Sequence, residues 1–322
     1  FGTRLANSPN QATMPSMANN TAPAGPRILH ICNWYPSILE PGAVPFIPRH
    51  IRSLAPHCGN DSWHIEVRSS KGPWRFIREG PADRTFIALV RLRWWFLVEW
   101  ASFMLIMWAW WTRDRSVHYD LVNFHIAYPN CTRISLLRRM IRLPFVITEH
   151  WTAYHRDFGA TSQGVERIRN IFHQGVPVIA VLKPLAQDII LFAGPPGPVV
   201  HVVDNVVDPA IFHPDPAIKA TEGVFFAIAG WRLLKRPDVL LESLSQMRQM
   251  GWPARLRMAG TGPKMDDMRQ QITKLGLGRH VDLLGPLDEL AVADEIRSAH
   301  ALLHASDYET YSVVTAEALC CG

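Results

Sequence analysis

Ala299-His-Ala-Leu-Leu-His304, followed by Glu309-Thr-Tyr-Ser-Val-Val-Thr-Ala-Glu317-Ala-Leu-Cys-Cys-Gly322, is the stretch from which the rest of the chain can be read. The first run is short and apolar, and reads as a buried strand. The second reads as a helix over Ser312–Cys321, with Ser312 placed to cap its first turn. Glu309 then lies in the strand-to-helix loop, and Glu317 about two turns along the helix. The N–H groups of the first helical turn have no partner within the helix and carry its positive dipole end. Such amides can hold a phosphate while neighbouring carboxylates grip the hydroxyls of an attached sugar. The chemistry suggested is recognition of a nucleotide sugar. Spacing alone leaves the alternative open, because two glutamates eight positions apart also describe a solvated helix face.

Working outward, apolar β-rich runs alternate with helical stretches from Arg27 onward. Arg27–Cys32, Trp63–Arg68, Thr85–Arg91, Tyr119–Phe124, Phe145–Thr148, Val178–Val181 and Val199–Val203 read as strands. Their unbroken Val/Ile/Leu character suits parallel strands covered on both faces. Helical patterns fall between them at Val44–Ala55, Cys131–Ile141, Val165–Gln174 and Lys183–Phe192. A Pro- and Asp-rich break over Asn205–Thr221 separates a second series. Its strands are Gly223–Gly230, Leu256–Ala259, Val281–Leu284 and Ala301–His304, with helices around Pro237–Met250, Met265–Leu275 and Glu289–Ala299. The expected architecture is α/β, with two Rossmann-like doubly wound domains facing a cleft. Residues 27–205 form one domain and 206–322 the other, and ligands belong at the carboxyl ends of the strands.

At 322 residues, 48% hydrophobic and 19% charged, the chain can bury two proper cores. A net charge of +5 fits an anionic substrate or lipid surface. It is too weak to argue for nucleic acid, and no nucleic-acid motif accompanies it. Five cysteines without a C-x-x-C pair read as packing residues in a reducing compartment. Residues 1–26 are polar and rich in Asn, Pro, Ala and Thr, so disorder is expected there, with Met14 or Met17 the candidate start. An α/β domain normally continues into a further strand, so the C-terminal domain is expected to be incomplete at Gly322.

Several loops carry chemistry. Gly230-Trp-Arg232-Leu-Leu-Lys235-Arg236 follows a strand with fixed cations, which suit the negative charge gathering on a departing diphosphate. A basic loop before a helix is the plainer reading. Gly260-Thr-Gly262-Pro reads as a tight turn. Cys32-Asn-Trp-Tyr-Pro-Ser and Glu40-Pro-Gly42 follow the first strand. This loop, with Gly42 in it, precedes a helix. His125 ends a strand and should point into the cleft. Glu149-His150 ends the next and reads as acceptor-side or structural. His150 with His155 lacks a third metal ligand. No Asp-x-Asp occurs, so no metal site is expected.

Taken whole, Glu309-x7-Glu317 with Ala-Leu-x-Cys-Gly after it and His304-Ala-Ser306 before it resembles the signature of the family 4 (group 1) retaining glycosyltransferases. The resemblance runs from about residue 27 to 322 and is strongest after Asn205. It implies a GT-B fold and metal-independent transfer of a sugar from a nucleoside-diphosphate sugar to an acceptor hydroxyl. That acceptor would be a glycan or lipid-linked molecule of cell-envelope synthesis, and no cofactor beyond the donor is implied. Arg232 and Lys235 would hold the diphosphate, with Arg236 a lesser candidate. Their spacing of three is tighter than in more common members. Gly42, Thr310, Tyr311 and Ser312 would also meet the donor. Glu309 would contact its hexose, Glu317 its ribose, and His125 would assist beside the sugar. A nucleotide-sugar epimerase and a non-catalytic nucleotide-binding, membrane-associated protein remain the alternatives.

Residues 91–115 stand apart: a tryptophan-rich apolar run about one bilayer long, flanked by arginines. Glu99 within it, and strands of one sheet on either side, argue against a spanning helix. It packs on the sheet, or rests an aromatic face on the membrane interface with arginines meeting anionic headgroups. We expect the second for 94–111, hence a cytoplasmic protein peripheral on the inner face of the membrane.

Overall fold

The apolar runs become parallel strands, and the inner ones are covered on both faces. A computed structural model describes residues 25–37, 39, 46–69, 75–80, 84–91, 95–154, 162–309 and 311–322. The disorder expected for residues 1–26 falls outside these apart from Gly25 and Pro26, as do Gly42, His155 and Thr310. The first part of the chain contains β1 (Arg27–Cys32), α1 (Phe46–Leu54), β2 (Gly59–Ser69), β3 (Arg75–Glu79), β4 (Arg84–Val90), α2 (Trp95–Trp111) and β5 (Leu121–His125). It continues with α3 (Ile134–Ile141), β6 (Phe145–Glu149), α4 (Ser162–Phe172), β7 (Val178–Ala180), α5 (Lys183–Ala193) and β8 (Val200–Val202). Its sheet runs β3-β4-β2-β1-β5-β6-β7-β8, parallel throughout except for the β3–β4 pair. The order reverses at β1, which leaves a crevice beyond the carboxyl ends of β1 and β5. Register sets Cys32 opposite His125, so those ends finish level. Leu29, Ile31, Val122, Phe124, Ile147 and Val178 are completely buried, each stabilising the fold by about 1.5–3 kcal/mol.

The strand β3 was not expected. Its Arg75-Phe-Ile-Arg-Glu79 mixes charge with two apolar residues, and it pairs on one side only. An edge strand does not need the two-sided apolar run that marks the others.

The second sheet takes β9 (Thr221–Ile228), β10 (Arg255–Ala259), β11 (Val281–Gly285) and β12 (Ala299–Leu302). Between and after them come α6 (Pro237–Gln249), α7 (Met265–Lys274), α8 (Glu289–Ser298) and α9 (Val313–Cys321). Its order is β11-β10-β9-β12, all parallel, so β9 and β12 are neighbours although 70 residues of chain separate Ile228 from Ala299. The loops leaving their carboxyl ends carry Arg232–Lys235 and Glu309. Adjacent parallel strands force those loops together.

Two sequence readings are refined here. Ser312 precedes α9 but does not cap it. Its backbone is left-handed (φ 55°, ψ 68°), and its Oγ bonds Thr315 Oγ1 at 2.6 Å instead of a helix amide. Side-chain capping needs an extended cap residue, and this geometry turns the hydroxyl away. The Gly260-Thr-Gly262 turn acts as a clamp. The Trp231 N–H donates to the Thr261 carbonyl at 2.8 Å, and the Lys264 N–H to the Trp231 carbonyl at 3.1 Å. A side-chain carbon on Gly262 would collide with the Trp231 carbonyl, and one on Gly260 with that of Ala229. These glycines let the turn hold the loop that carries the cations. Gly262→Ala is therefore expected to lower stability by about 1–3 kcal/mol, read as a shifted urea midpoint.

Candidate active site

After β9 the chain makes one 3-10 turn, Leu233–Lys235, before Pro237 starts α6. The turn is stitched to the loop after β12. The Asp307 N–H donates to the Leu234 carbonyl at 2.9 Å, and Ser306 Oγ donates to the same carbonyl at 3.2 Å. Lys235 then pairs with Glu309, whose Oε1 also lies 3.0 Å from His304 Nε2. Ser312 Oγ stands 3.4 Å from the same histidine nitrogen. Lys235 and Glu309 are both about a quarter exposed, so water screens their pairing and it contributes little to stability. Just beyond, the N–H groups of Val313 and Val314 have no acceptor among the described residues. Arg232 is exposed and has no ion-pair partner among them either. Arg236 is committed elsewhere, to Asp238 at 2.8 Å and Asp307 at 3.2 Å, which hold its guanidinium firmly charged. Its lesser candidacy for phosphate loses ground for that reason.

Glu317 lies deeper and is 5% exposed. Arg49 of α1 reaches across from the first sheet's domain to pair with it. The same guanidinium bonds Glu289 at 3.0 Å and lies 5.2 Å from the centre of the Phe212 ring. Burial lifts the Glu317 carboxyl above its ordinary range, and Arg49 opposes the rise without cancelling it. A second link between the domains is Tyr308 Oη donating to Asp188 Oδ2 at 3.0 Å. Sequence reasoning missed Arg49 and Glu289. Nothing local marks an arginine in α1 as the partner of a glutamate 268 positions away.

His125 sits at the end of β5 inside a column of imidazoles. Its Nε2 is 3.0 Å from His30 Nδ1, and its Nδ1 is 3.4 Å from His150 Nε2. His50 of α1 closes the group, its ring centre 6.2 Å from those of both His125 and His150. All four are buried, and His125 is fully so. Burial pushes His30 down to about 4, His150 to about 3 and His125 well below the ordinary value. Burial also lowers His50, with Asn205 working against it. The following residue, Ile126, has φ 70°, a costly conformation for a β-branched side chain. That turn delivers the Ala127 N–H to Glu149 Oε1 at 2.7 Å. Glu149 also accepts from Tyr154 Oη at 2.6 Å and from the His150 N–H at 3.1 Å, which makes it a structural tie. Successive residues of α1 thus cover two expected site residues: Arg49 lies on Glu317 and His50 against His125. Among the described residues, no three His, Cys, Asp or Glu side chains are arranged to hold a metal ion.

Neutral buried imidazoles set a pH dependence. The unfolded chain takes up protons near the ordinary histidine value, about 6.5, whereas in the folded chain His30 does so only near about 4 and His150 near about 3, with His125 and His50 also lowered. Stability is full above about pH 6.5 and falls as pH drops, by about tenfold in the folding constant per pH unit per group. Glu149 and Glu317, both pushed up by burial, oppose this only toward the carboxylate range. Urea midpoints between about pH 7 and 5.5 should therefore fall. A flat profile would contradict neutral burial.

Comparison with known proteins shows what the chain is similar to. Residues 210–322 match the family model described as Glycosyl transferases group 1. The match covers about a third of the chain, the part that carries the second sheet. Over 125 residues it is 31% identical to the phosphatidylinositol N-acetylglucosaminyltransferase gpi3 subunit of Schizosaccharomyces pombe, covering 38% of this chain and 27% of that one. Over 217 residues it is 23% identical to N-acetyl-alpha-D-glucosaminyl L-malate synthase of Bacillus anthracis, covering 63% and 55%. The chain thus spans between about a quarter and about half the length of these relatives. Among solved structures, Anabaena HepE in complex with UDP and glucose superposes with a TM-score of 0.65 at 16% identity, covering 92% of this chain and 78% of that one. Sucrose-phosphate synthase from Thermosynechococcus elongatus gives 0.67 at 15% identity, covering 92% and 79%. At such identities the likeness is one of fold, the GT-B architecture expected from the sequence.

Proposed function

We propose that this protein is a retaining, metal-independent glycosyltransferase of family 4, moving a hexose from a nucleoside-diphosphate sugar to an acceptor hydroxyl. The supporting observation is the pairing of Lys235 with Glu309 beside the open amide end of α9. A cation, a helix terminus and a carboxylate meet where a diphosphate and its sugar would lie side by side. In the reaction the acceptor oxygen bonds to the anomeric carbon as that carbon's bond to the diphosphate oxygen breaks. The acceptor attacks from the face of departure, and its proton passes to the leaving diphosphate. Lys235, Arg232 and the α9 amides stabilise the charge that builds there. Glu309 leaves Lys235 to take the hexose hydroxyls.

Glu317 takes the ribose. A buried carboxylate needs donors at all times, and ribose hydroxyls would replace those of Arg49. His125 comes beside the sugar once α1 moves away with His50. Gly42, Thr310 and Tyr311 are proposed to complete the donor contacts. The acceptor is a glycan or lipid-linked molecule of the cell envelope, and the protein works in the cytoplasm on the membrane's inner face. Curated relatives that act on phosphatidylinositol support a lipid-borne acceptor.

Calorimetric titration with UDP tests the site. Glu317→Gln is expected to weaken binding about 10- to 100-fold, the loss of a charge-assisted contact. Arg49→Met, which removes the competing donors, should tighten it severalfold. Lys235→Ala should lower turnover about 100-fold or more while binding changes less. Unchanged affinity in Glu317→Gln would remove the ribose role. Donor conversion without an acceptor would point to an epimerase, and UDP binding with neither conversion nor transfer to a non-catalytic protein.

A further inference from the structure

Helix α2 is apolar on every side, yet only one side is buried. Phe103, Ile106, Met107 and Trp110 pack into the core, with Trp110 against Trp63 and Tyr119. The opposite side shows Trp100, Met104, Trp108 and Trp111, which are 40%, 59%, 38% and 58% exposed. Spacings of four, four and three residues make these one stripe, about 16 Å long. Phe76 of β3, half exposed, widens it by packing edge-on against Trp108 at 5.4 Å between ring centres. A helix apolar all round is normally enclosed by protein or lipid.

Charge decides between the possible covers. Glu99, the helix's one acidic residue, is 1% exposed and turned inward onto Arg167 at 2.9 Å. The outward stripe therefore carries no negative charge. Arginines border it instead: the Arg133 guanidinium carbon lies 4.2 Å from the centre of the Trp100 ring, and that of Arg78 5.9 Å from the Trp108 ring. Past the helix end, Asp114 is folded back onto the Ser116 N–H and hydroxyl. Tryptophan with bordering arginine suits the headgroup layer of a bilayer, where rings sit among the upper acyl chains and guanidinium groups among phosphates. No helix among the described residues is long and apolar enough to cross a membrane.

We infer that the outer stripe of α2 lies flat on an anionic bilayer. The inference rests on the glycosyltransferase reading and deepens it. The helix leaves the carboxyl end of β4, on the same side of the sheet as the crevice beyond β1 and β5. The stripe then runs back along the flank of the first domain toward the amino end of β5, so docking lays that flank on the bilayer with the crevice opening alongside it. The acceptor is then taken from the membrane itself and not from bulk solution.

Co-sedimentation tests this with vesicles of phosphatidylcholine alone and of phosphatidylcholine mixed with phosphatidylglycerol. The intact chain should pellet with the mixed vesicles, and less so as salt is raised. Brominated lipid should quench its tryptophan fluorescence. The triple variant Trp100→Ser, Met104→Ser, Trp111→Ser spares Trp108, which packs on Phe86, and should lose at least tenfold in vesicle affinity. Arg78→Gln with Arg133→Gln should lose most of the preference for phosphatidylglycerol. UDP binding, followed by thermal shift, should be the same in every variant. An intact chain that ignores both vesicles, or a triple variant that binds like it, overturns the inference. So does a dimer that the triple variant breaks without any vesicle binding. Vesicle binding by a chain that does not bind UDP would instead sink the glycosyltransferase reading and leave this surface standing.

Discussion

The side-by-side parallel pairing of β9 and β12 is the constraint on which the candidate site depends. Parallel neighbours end on the same side of a sheet, so the chain leaving one must meet the chain leaving the other. Lys235 meets Glu309 for this reason, and the loop hydrogen bonds to Leu234 only refine the meeting. The glycine clamp serves the same end from the β10 side, since its missing side chains let the turn close on Trp231.

Buried charge organises the contact between the domains. Glu317 and Arg49 are both removed from water, and each would be costly alone. Glu289, partly open to water and shared with Arg52, gives the same guanidinium a second carboxylate. A ligand offering hydroxyl donors can enter such a group by exchange, because the carboxylate stays hydrogen-bonded throughout. The imidazole column follows a different rule. Its members are uncharged, so they can be stacked in a dry space where ammonium or guanidinium groups could not.

Much of the fold could be read in advance because burial on both faces leaves a direct mark on sequence. Strands such as Arg27–Cys32 and Phe145–Thr148 are dominated by apolar residues, and their limits agree closely with the observed elements. The strand β3 escaped because an edge needs no such mark. Glu309, Glu317 and Lys235 were legible from motif and loop position. Ser312 was read as the start of the helix and its side-chain cap, whereas the helix begins at Val313 and the hydroxyl caps nothing, since sequence carries residue type but not backbone sign.

Local pattern by itself therefore determined the alternation of strands and helices, the two-part division of the chain and the candidate cations and carboxylates. These follow from periodicity and from which side chains stand at strand ends, both properties of neighbouring residues. Tertiary structure alone decided that Arg49 covers Glu317, that His50 closes over His125, and that Glu99 turns inward and leaves the α2 stripe uncharged. Each of those depends on contacts between segments far apart in the chain, where no local pattern records which partner a buried charge will find.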